Sequence, residues 1–259
     1  MPVWDPVTYL EFADERSRPF LDLLSRVKAA HPRLVVDLGC GPGQLTASLA
    51  DRWPDAQILG LDSSPEMIKQ AAEFASQRVS FQVQDLRDWR PATPVDVIIS
   101  NATLQWVPGH RGLLPDLVNA LSQDGWLAFQ VPGNFGEPTH TELAAVRTSQ
   151  RWQPVLGDLD LPQPAVEEPV EYVRRMTELG CAVDAWETTY LQVLPGPDAV
   201  LEWMKGTGLR PVLSALADEQ QEEFVAEYAE RLRAAYPQES FGTVLPYRRI
   251  FVVATRGGG

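Results

Sequence analysis

Apolar residues in the first half of this chain come in short runs, most of them ending in an acidic or small polar residue. Leu34 to Asp37, Gln57 to Asp62, Val79 to Val83 and Val95 to Ser100 predict four strands, and Trp126 to Val131 predicts a fifth. Val95 to Ser100 is almost wholly apolar, as a central parallel strand covered on both faces should be. Between the runs the period changes. Leu45, Leu49 and Trp53 recur every four residues and predict a helix that Pro54 stops. Ser63 with Glu66 reads as a capping box opening a second helix through Met67 and Ile68, and Leu113 to Leu121 predicts a third. Strand and helix in alternation predict an α/β fold on a mostly parallel sheet. After Val131 the alternation lapses. Residues 137–179 read as helices and loops broken by Pro154, Pro162, Pro164 and Pro169, and 181–193 resume a strand. A helix follows, with Asp218 and Gln221 as its capping box and Phe224, Tyr228 and Leu232 as a core-facing stripe. Ile250 to Ala254 is a last apolar strand.

The first strand runs into Asp37-Leu38-Gly39-Cys40-Gly41-Pro42-Gly43, and a helix begins at once. Glycines at alternate positions let the backbone turn tightly and approach a ligand closely. The spacing misses the dinucleotide fingerprint G-x-G-x-x-G, whose third glycine would fall on Gln44. Asp37-x-Gly39-x-Gly41-x-Gly43 instead resembles motif I of class I S-adenosylmethionine (AdoMet)-dependent methyltransferases, in which the turn packs against the methionine part of the cofactor.

The later strand ends agree with that resemblance. Asp62 lies 19 positions past Gly43, where an acid is placed to accept hydrogen bonds from a ribose diol. Asp85 ends the third strand and can accept from an adenine amino group, and Leu86 can cover the ring face. Strand four opens into Asn101-Ala102-Thr103-Leu104-Gln105-Trp106-Val107 at the carboxyl edge, where open α/β sheets bind ligands. Further stretches narrow the likeness: Trp4-Asp5-Pro6 with Tyr9 and Arg16-x-Arg18-Pro19, Val131-Pro132-Gly133-Asn134, Gly206 to Pro211, and Pro246-Tyr247-Arg248-Arg249-Ile250-Phe251. Together they resemble the trans-aconitate 2-methyltransferase family along nearly the whole chain. In that family His often occurs where this chain has Gln105.

The resemblance implies a Rossmann-like, seven-stranded, mostly parallel sheet whose last strand is antiparallel, with helices on both faces and a helical cap over the active site. It divides the chain into a lid segment (residues 1–30), an AdoMet-binding core (31–135), and helical cap insertions plus the C-terminal strands that complete the sheet (136–259), within one structural domain. It assigns to the cofactor Trp4, Tyr9 and Arg16 from the lid, Asp37, Gly39, Cys40, Gly41 and Gly43 from the turn, and Asp62, Ser63, Met67, Asp85, Leu86 and Asn101 from the following strand ends. To the substrate it assigns Arg18, Gln105, Trp106, Asn134, Arg210, Tyr247, Arg248 and Arg249.

The charge balance argues against polyanionic partners. Lys plus Arg is 22 against 35 Asp plus Glu, a net charge of −13, which repels nucleic acid and anionic membrane in bulk. A tricarboxylate must then be drawn by local cations. Arg210, Arg248 and Arg249 are candidates because a guanidinium meets a carboxylate with paired hydrogen bonds. Consecutive Arg248 and Arg249 point to opposite faces of a strand, so at most one would face the pocket. A carboxylate is already ionised at neutral pH, so no catalytic base is expected and the three histidines, His31, His110 and His140, read as structural or exposed. The two cysteines, Cys40 and Cys181, are outside any C-x-x-C pair, so no metal site is expected and both read as reduced thiols. The first residues lack a basic region followed by an apolar run, and no apolar stretch approaches spanning length, so a cytoplasmic protein is expected, without an obligate protein partner. Competing readings are a methyltransferase acting on a carrier-bound carboxylate or a quinone-type acceptor, an AdoMet-binding module without catalysis, and a dehydrogenase on the same kind of sheet.

Overall fold

A computed structural model describes the backbone of residues 13–257, apart from 158 and 160–165, and side chains from residue 17. Trp4 and Tyr9, and the side chain of Arg16, lie outside the described residues. The chain divides into two compact units. Of the described residues, a sheet unit holds those from 13 to 132, from 166 to 188 and from 249 on, and a helical unit holds those within 133–159 and 189–248.

The strands are β1 (Leu34–Leu38), β2 (Gln57–Asp62), β3 (Val79–Val83), β4 (Val95–Asn101), β5 (Leu121–Pro132), β6 (Cys181–Leu194), β7 (Gln238–Glu239) and β8 (Gly242–Arg256). Seven lie side by side in the order β3-β2-β1-β4-β5-β8-β6, and the two-residue β7 pairs with β8. β1, β2, β3, β4 and β5 run parallel, and β8 runs antiparallel to β5. This is the expected Rossmann-like sheet. Its order reverses beside β1, which puts the turn after β1 at the point where such sheets bind ligands.

In the sheet unit the helices are α1 (Ala13–Ser25), α2 (Gln44–Arg52), α3 (Pro65–Ala71), α4 (Leu114–Ala120) and, after the fifth strand's excursion, α7 (Pro169–Glu178). Phe20, Leu23 and Leu24 of α1, with Val27 just beyond it, are buried at helical spacing. One face of the sheet is closed by a core in which Val36, Leu38, Ile98, Phe129, Val252 and Tyr172 meet. Each fully buried side chain of this kind contributes roughly 1.5–3 kcal/mol.

The helical unit contains α5 (Pro138–Arg147), α6 (Gln153–Leu156), α8 (Ala199–Lys205), α9 (Arg210–Ser214) and α10 (Asp218–Ala235). The expected stripe of α10 is its core face: Phe224, Tyr228 and Leu232 are buried. Tyr228 donates its hydroxyl to the Thr139 carbonyl at 2.5 Å, and Phe224 meets Trp152 edge to face.

Both expected capping boxes are displaced. The N-cap of α3 is Ser64, not Ser63: Ser64 Oγ accepts from the Met67 amide at 3.3 Å, and Pro65 takes the first helical position, where its missing N–H costs nothing. Ser64→Ala should therefore cost about 1 kcal/mol in denaturant unfolding. α10 already includes Asp218; Ala217 precedes it, and the Gln220 side chain accepts from the Ala217 amide at 3.2 Å. Gln221 instead donates its side-chain amide to the Leu216 carbonyl at 3.1 Å. The last strand is longer than its apolar stretch suggests, because the polar residues of Gly242–Arg256 continue the extended backbone on both sides of Ile250 to Ala254.

Candidate active site

The turn after β1 is held from two sides. The Gly39 and Cys40 amides both donate to the Leu61 carbonyl, at 2.7 and 2.9 Å, which fastens the turn to the end of β2. Gly39 has φ +79°, and a Cβ built there would lie 2.1 Å from Thr103 Oγ1. Only glycine leaves room for the loop that follows β4. Gly41 also has positive φ, +54°, but a Cβ there would meet nothing within 4 Å. The turn thus presents open space above Gly41 while its flanks are packed, as a surface made to be covered by a ligand should be.

Three acids mark the strand ends. Asp37 is buried, and its Oδ2 accepts from Thr46 Oγ1 at 2.5 Å. Burial pushes its carboxyl up to about 7, opposed by the Thr46 hydrogen bond and reinforced by the Asp62 charge. Asp62 is a strut for the turn: Oδ2 accepts from the Gly41 amide at 3.0 Å and Oδ1 from the Ser64 amide at 2.9 Å. Its carboxyl is raised by burial, partly offset by these bonds. Asp62→Ala should loosen the turn and lower AdoMet affinity about tenfold or more, read by calorimetry, because it removes charge-assisted bonds to the backbone of Gly41, Ser63 and Ser64. Asp85 is held by Arg87, whose Nη2 lies 2.6 Å from Oδ2, and this bond lowers its carboxyl below the usual range. Leu86 is buried, 7% exposed, and belongs to the core cluster. Met67 is buried in α3, and Ser63 is exposed beside Asp62.

The loop after β4 lies against this turn. The Thr103 hydroxyl bonds to the carbonyls of Gly39, at 3.3 Å, and Asn101, at 3.1 Å. Asn101 Oδ1 is buried without a hydrogen-bond partner. Gln105 is buried, donates Nε2 to the Ala102 carbonyl at 2.6 Å, and leaves Oε1 unpartnered. Trp106 is 39% exposed. Arg249, the other sheet-unit candidate, is buried, and its Nη1 makes a long 3.4 Å bond to Gln130 Oε1. Arg18 is exposed on α1.

The helical unit carries the remaining candidates. Asn134 is buried with Oδ1 unpartnered. Arg248 Nη1 lies 3.4 Å from the Gly133 carbonyl, and Tyr247 meets Trp203 edge to face at 5.7 Å. Arg210 is the first residue of α9. Thr46, Ser64, Thr103 and Gln130 are the site residues that sequence reasoning missed. For Gln130 a signal existed, a lone amide inside the apolar run Leu127 to Pro132.

His110 and His140 are held neutral by burial, each with its imidazole lowered to about 4. His110 Nε2 lies 3.0 Å from the Tyr172 hydroxyl, and His140 Nδ1 lies 3.0 Å from Thr139 Oγ1. Both cysteines are free and buried, and burial first, then the Asp37 and Asp62 charges, pushes the Cys40 thiol far above its usual range. Among the described residues no group of three or more His, Cys, Asp or Glu could hold a metal ion, and no helix is long and apolar enough to cross a membrane.

The comparisons agree with this geometry. Residues 35–125 match the model of a methyltransferase domain. The fold is shared with the YcgJ protein from Bacillus subtilis, at a TM-score of 0.62 and 15% identity over 93% of this chain and 98% of that one. It is shared also with a putative methyltransferase from Bacillus halodurans, at 0.59 and 12% identity over 93% of this chain and 100% of the other. A sheet of this order with an acid-flanked glycine turn after β1 defines an enzyme of the AdoMet-dependent methyltransferase class. Within that class the likeness is much closer. Proteins named trans-aconitate 2-methyltransferase are 52% identical in Streptomyces avermitilis, over 98% of this chain and 97% of that protein, and 51% in Rhodococcus jostii, over 97% and 99%. In Mycobacterium tuberculosis such a protein is 45% identical over 99% and 98%. This chain belongs to the trans-aconitate 2-methyltransferase family.

Proposed function

We propose that the protein esterifies one carboxylate of trans-aconitate with the methyl group of AdoMet, giving a mono-ester and S-adenosylhomocysteine. The observation that carries this reading is the 52% identity, end to end, to a protein of that name. The site supports it through the open face above Gly41, the Asp62 carboxylate bonded to the Gly41 amide, the buried Asp37 near the end of β1, and the unpartnered Asn101 oxygen.

AdoMet, when bound, supplies a methyl group already activated on a sulfonium. Asp37, Gly39, Cys40, Gly41 and Gly43 would hold its methionine part, and Asp62, Ser63, Met67, Asp85, Leu86 and Asn101 its nucleoside; Trp4, Tyr9 and Arg16, which the resemblance also assigns to the cofactor, fall outside the described side chains. The protein's remaining task is to align the acceptor and exclude water. An ionised carboxylate needs no proton removed, which fits a chain in which His110 and His140 are neutral and already bonded to Tyr172 and Thr139. Arginines among Arg18, Arg210, Arg248 and Arg249, with Gln105, Trp106, Asn134 and Tyr247, would fix the other carboxylates. Incubation with AdoMet and a panel of di- and tricarboxylates, read by mass spectrometry, should yield mono-methyl trans-aconitate in preference to the rest. A panel without any ester, or with preference for a hydrophobic acceptor, would overturn the reading.

A further inference from the structure

Asp37 sits on β1 between β2 and β4, in register with Gly60 on one side and Ile99 on the other. Its side chain is buried, and among the described residues one group donates to its carboxylate: the Thr46 hydroxyl, 2.5 Å from Oδ2. Thr46 is the third residue of α2 and has no exposed surface. A threonine inside a helix can turn its hydroxyl back on the carbonyl four residues earlier. Here the hydroxyl reaches instead a strand residue nine positions away. Gly43 fixes how α2 begins: its φ is +85°, and a Cβ there would lie 2.6 Å from the Ala71 Cβ. The helix therefore starts in one set relation to the turn, and that relation delivers the Thr46 hydroxyl to Asp37.

The titratable groups beside Asp37 are Asp62 at the end of β2, whose charge raises the carboxyl, and Cys40 in the turn, whose thiol is itself pushed far above its usual range. From α2 and β4 the neighbours are Thr46 and Ile99, which do not titrate. Burial does most to push Asp37 up, to about 7, and the Thr46 bond pulls it back. We infer that Thr46 is a positioning residue for the cofactor site: its hydroxyl holds Asp37 in the charged form just ahead of the glycine turn, and so sets the pH range over which AdoMet binds tightly. A hydroxyl suits this task because it is neutral. It stabilises the carboxylate by a hydrogen bond, yet leaves the whole negative charge to act on a cationic sulfonium. A lysine or arginine in its place would also stabilise the carboxylate, and would cancel that charge. The inference rests on the glycine turn being the AdoMet site, as proposed above.

The test compares Thr46→Val, which keeps the branched shape and loses the hydroxyl, with Thr46→Ser, which keeps the hydroxyl. AdoMet dissociation constants are measured by calorimetry from about pH 5.5 to 8.5, across the range in which Asp37 ionises, and divided by the wild-type value at each pH, so that ionisation of AdoMet itself cancels. A hydrogen bond to a charged group is worth about one pKa unit or more. The Thr46→Val ratio should therefore be about threefold or more at pH 8, and within about 1.5-fold at pH 5.5, where Asp37 is protonated in both proteins. Thr46→Ser should stay within about twofold of wild type throughout. If Thr46→Val does not fold, Thr46→Ala, which loses the same hydroxyl, is read in the same way. A Thr46→Val ratio equal at both ends of the range would mean that the hydroxyl serves packing alone, and would overturn the inference while leaving the cofactor site in place. A Thr46→Ser ratio that follows Thr46→Val would overturn it too. A wild-type protein that binds no AdoMet would overturn the cofactor reading as well.

Discussion

Gly39→Ala should reduce AdoMet affinity by about a hundredfold or more and lower the melting temperature as well. Two costs combine. At φ +79° an alanine is strained by roughly 1–2 kcal/mol, and its methyl would lie 2.1 Å from Thr103 Oγ1 and 2.2 Å from Thr103 Cγ2. The loop after β4 must move, and it carries Gln105 and follows directly on Asn101. The second variant Gly39→Ala/Thr103→Gly removes the obstructing side chain and should recover part of both losses, leaving the backbone strain. Gly41→Ala makes the contrast. Its methyl meets no atom of the protein, so stability should fall by only the strain, about 1–2 kcal/mol. Binding should still fail, because the methyl would occupy the space that the cofactor needs. Calorimetry and thermal melting on the three variants separate the effects. Wild-type AdoMet affinity in Gly41→Ala would mean that the open face is not the binding face.

Asp37→Asn should make the protein more stable and less active. The folded protein holds a proton on Asp37 up to about pH 7, whereas an ordinary aspartate releases it near 3.8. Between those values the folded state binds more protons than the unfolded chain, so stability falls as pH rises, by about 1.4 kcal/mol per unit. The loss is complete above pH 7 and amounts to roughly 4 kcal/mol. Asparagine removes this dependence and can still accept from Thr46, whose hydroxyl bonds Asp37 Oδ2. At pH 8 the variant should melt well above wild type, and at pH 4 the two should nearly coincide. AdoMet affinity at pH 8 should fall about tenfold or more, because the charge lost is two residues before the first glycine of the turn that would hold a cationic sulfonium. Equal melting temperatures at pH 8 would show that Asp37 is not destabilised by its burial.

What could be read from the sequence was what is local. Strand runs, the helix after Gly43 and the acids at Asp37 and Asp62 are set by spacing along the chain, and the sheet places them as expected. The displaced caps show how local reading errs by one residue. Asp62 draws in the Ser64 amide, so the turn extends through Ser63 and the hydroxyl one place later meets the Met67 amide. Residues brought together from afar were not legible. The reason that Gly39 must be glycine is Thr103, 64 positions away, and no periodicity encodes that approach. Asp85 shows the opposite limit: its place was foreseen, but not that Arg87, two residues on, would grip it.

The two native sulfhydryls have a practical consequence. Cys40 and Cys181 are both buried, and burial raises both thiols. Attack on an alkylating reagent requires an accessible thiolate, so maleimides should leave the folded enzyme untouched. One cysteine introduced on an exposed helix would then accept a fluorophore or spin probe selectively, without prior removal of the natural pair.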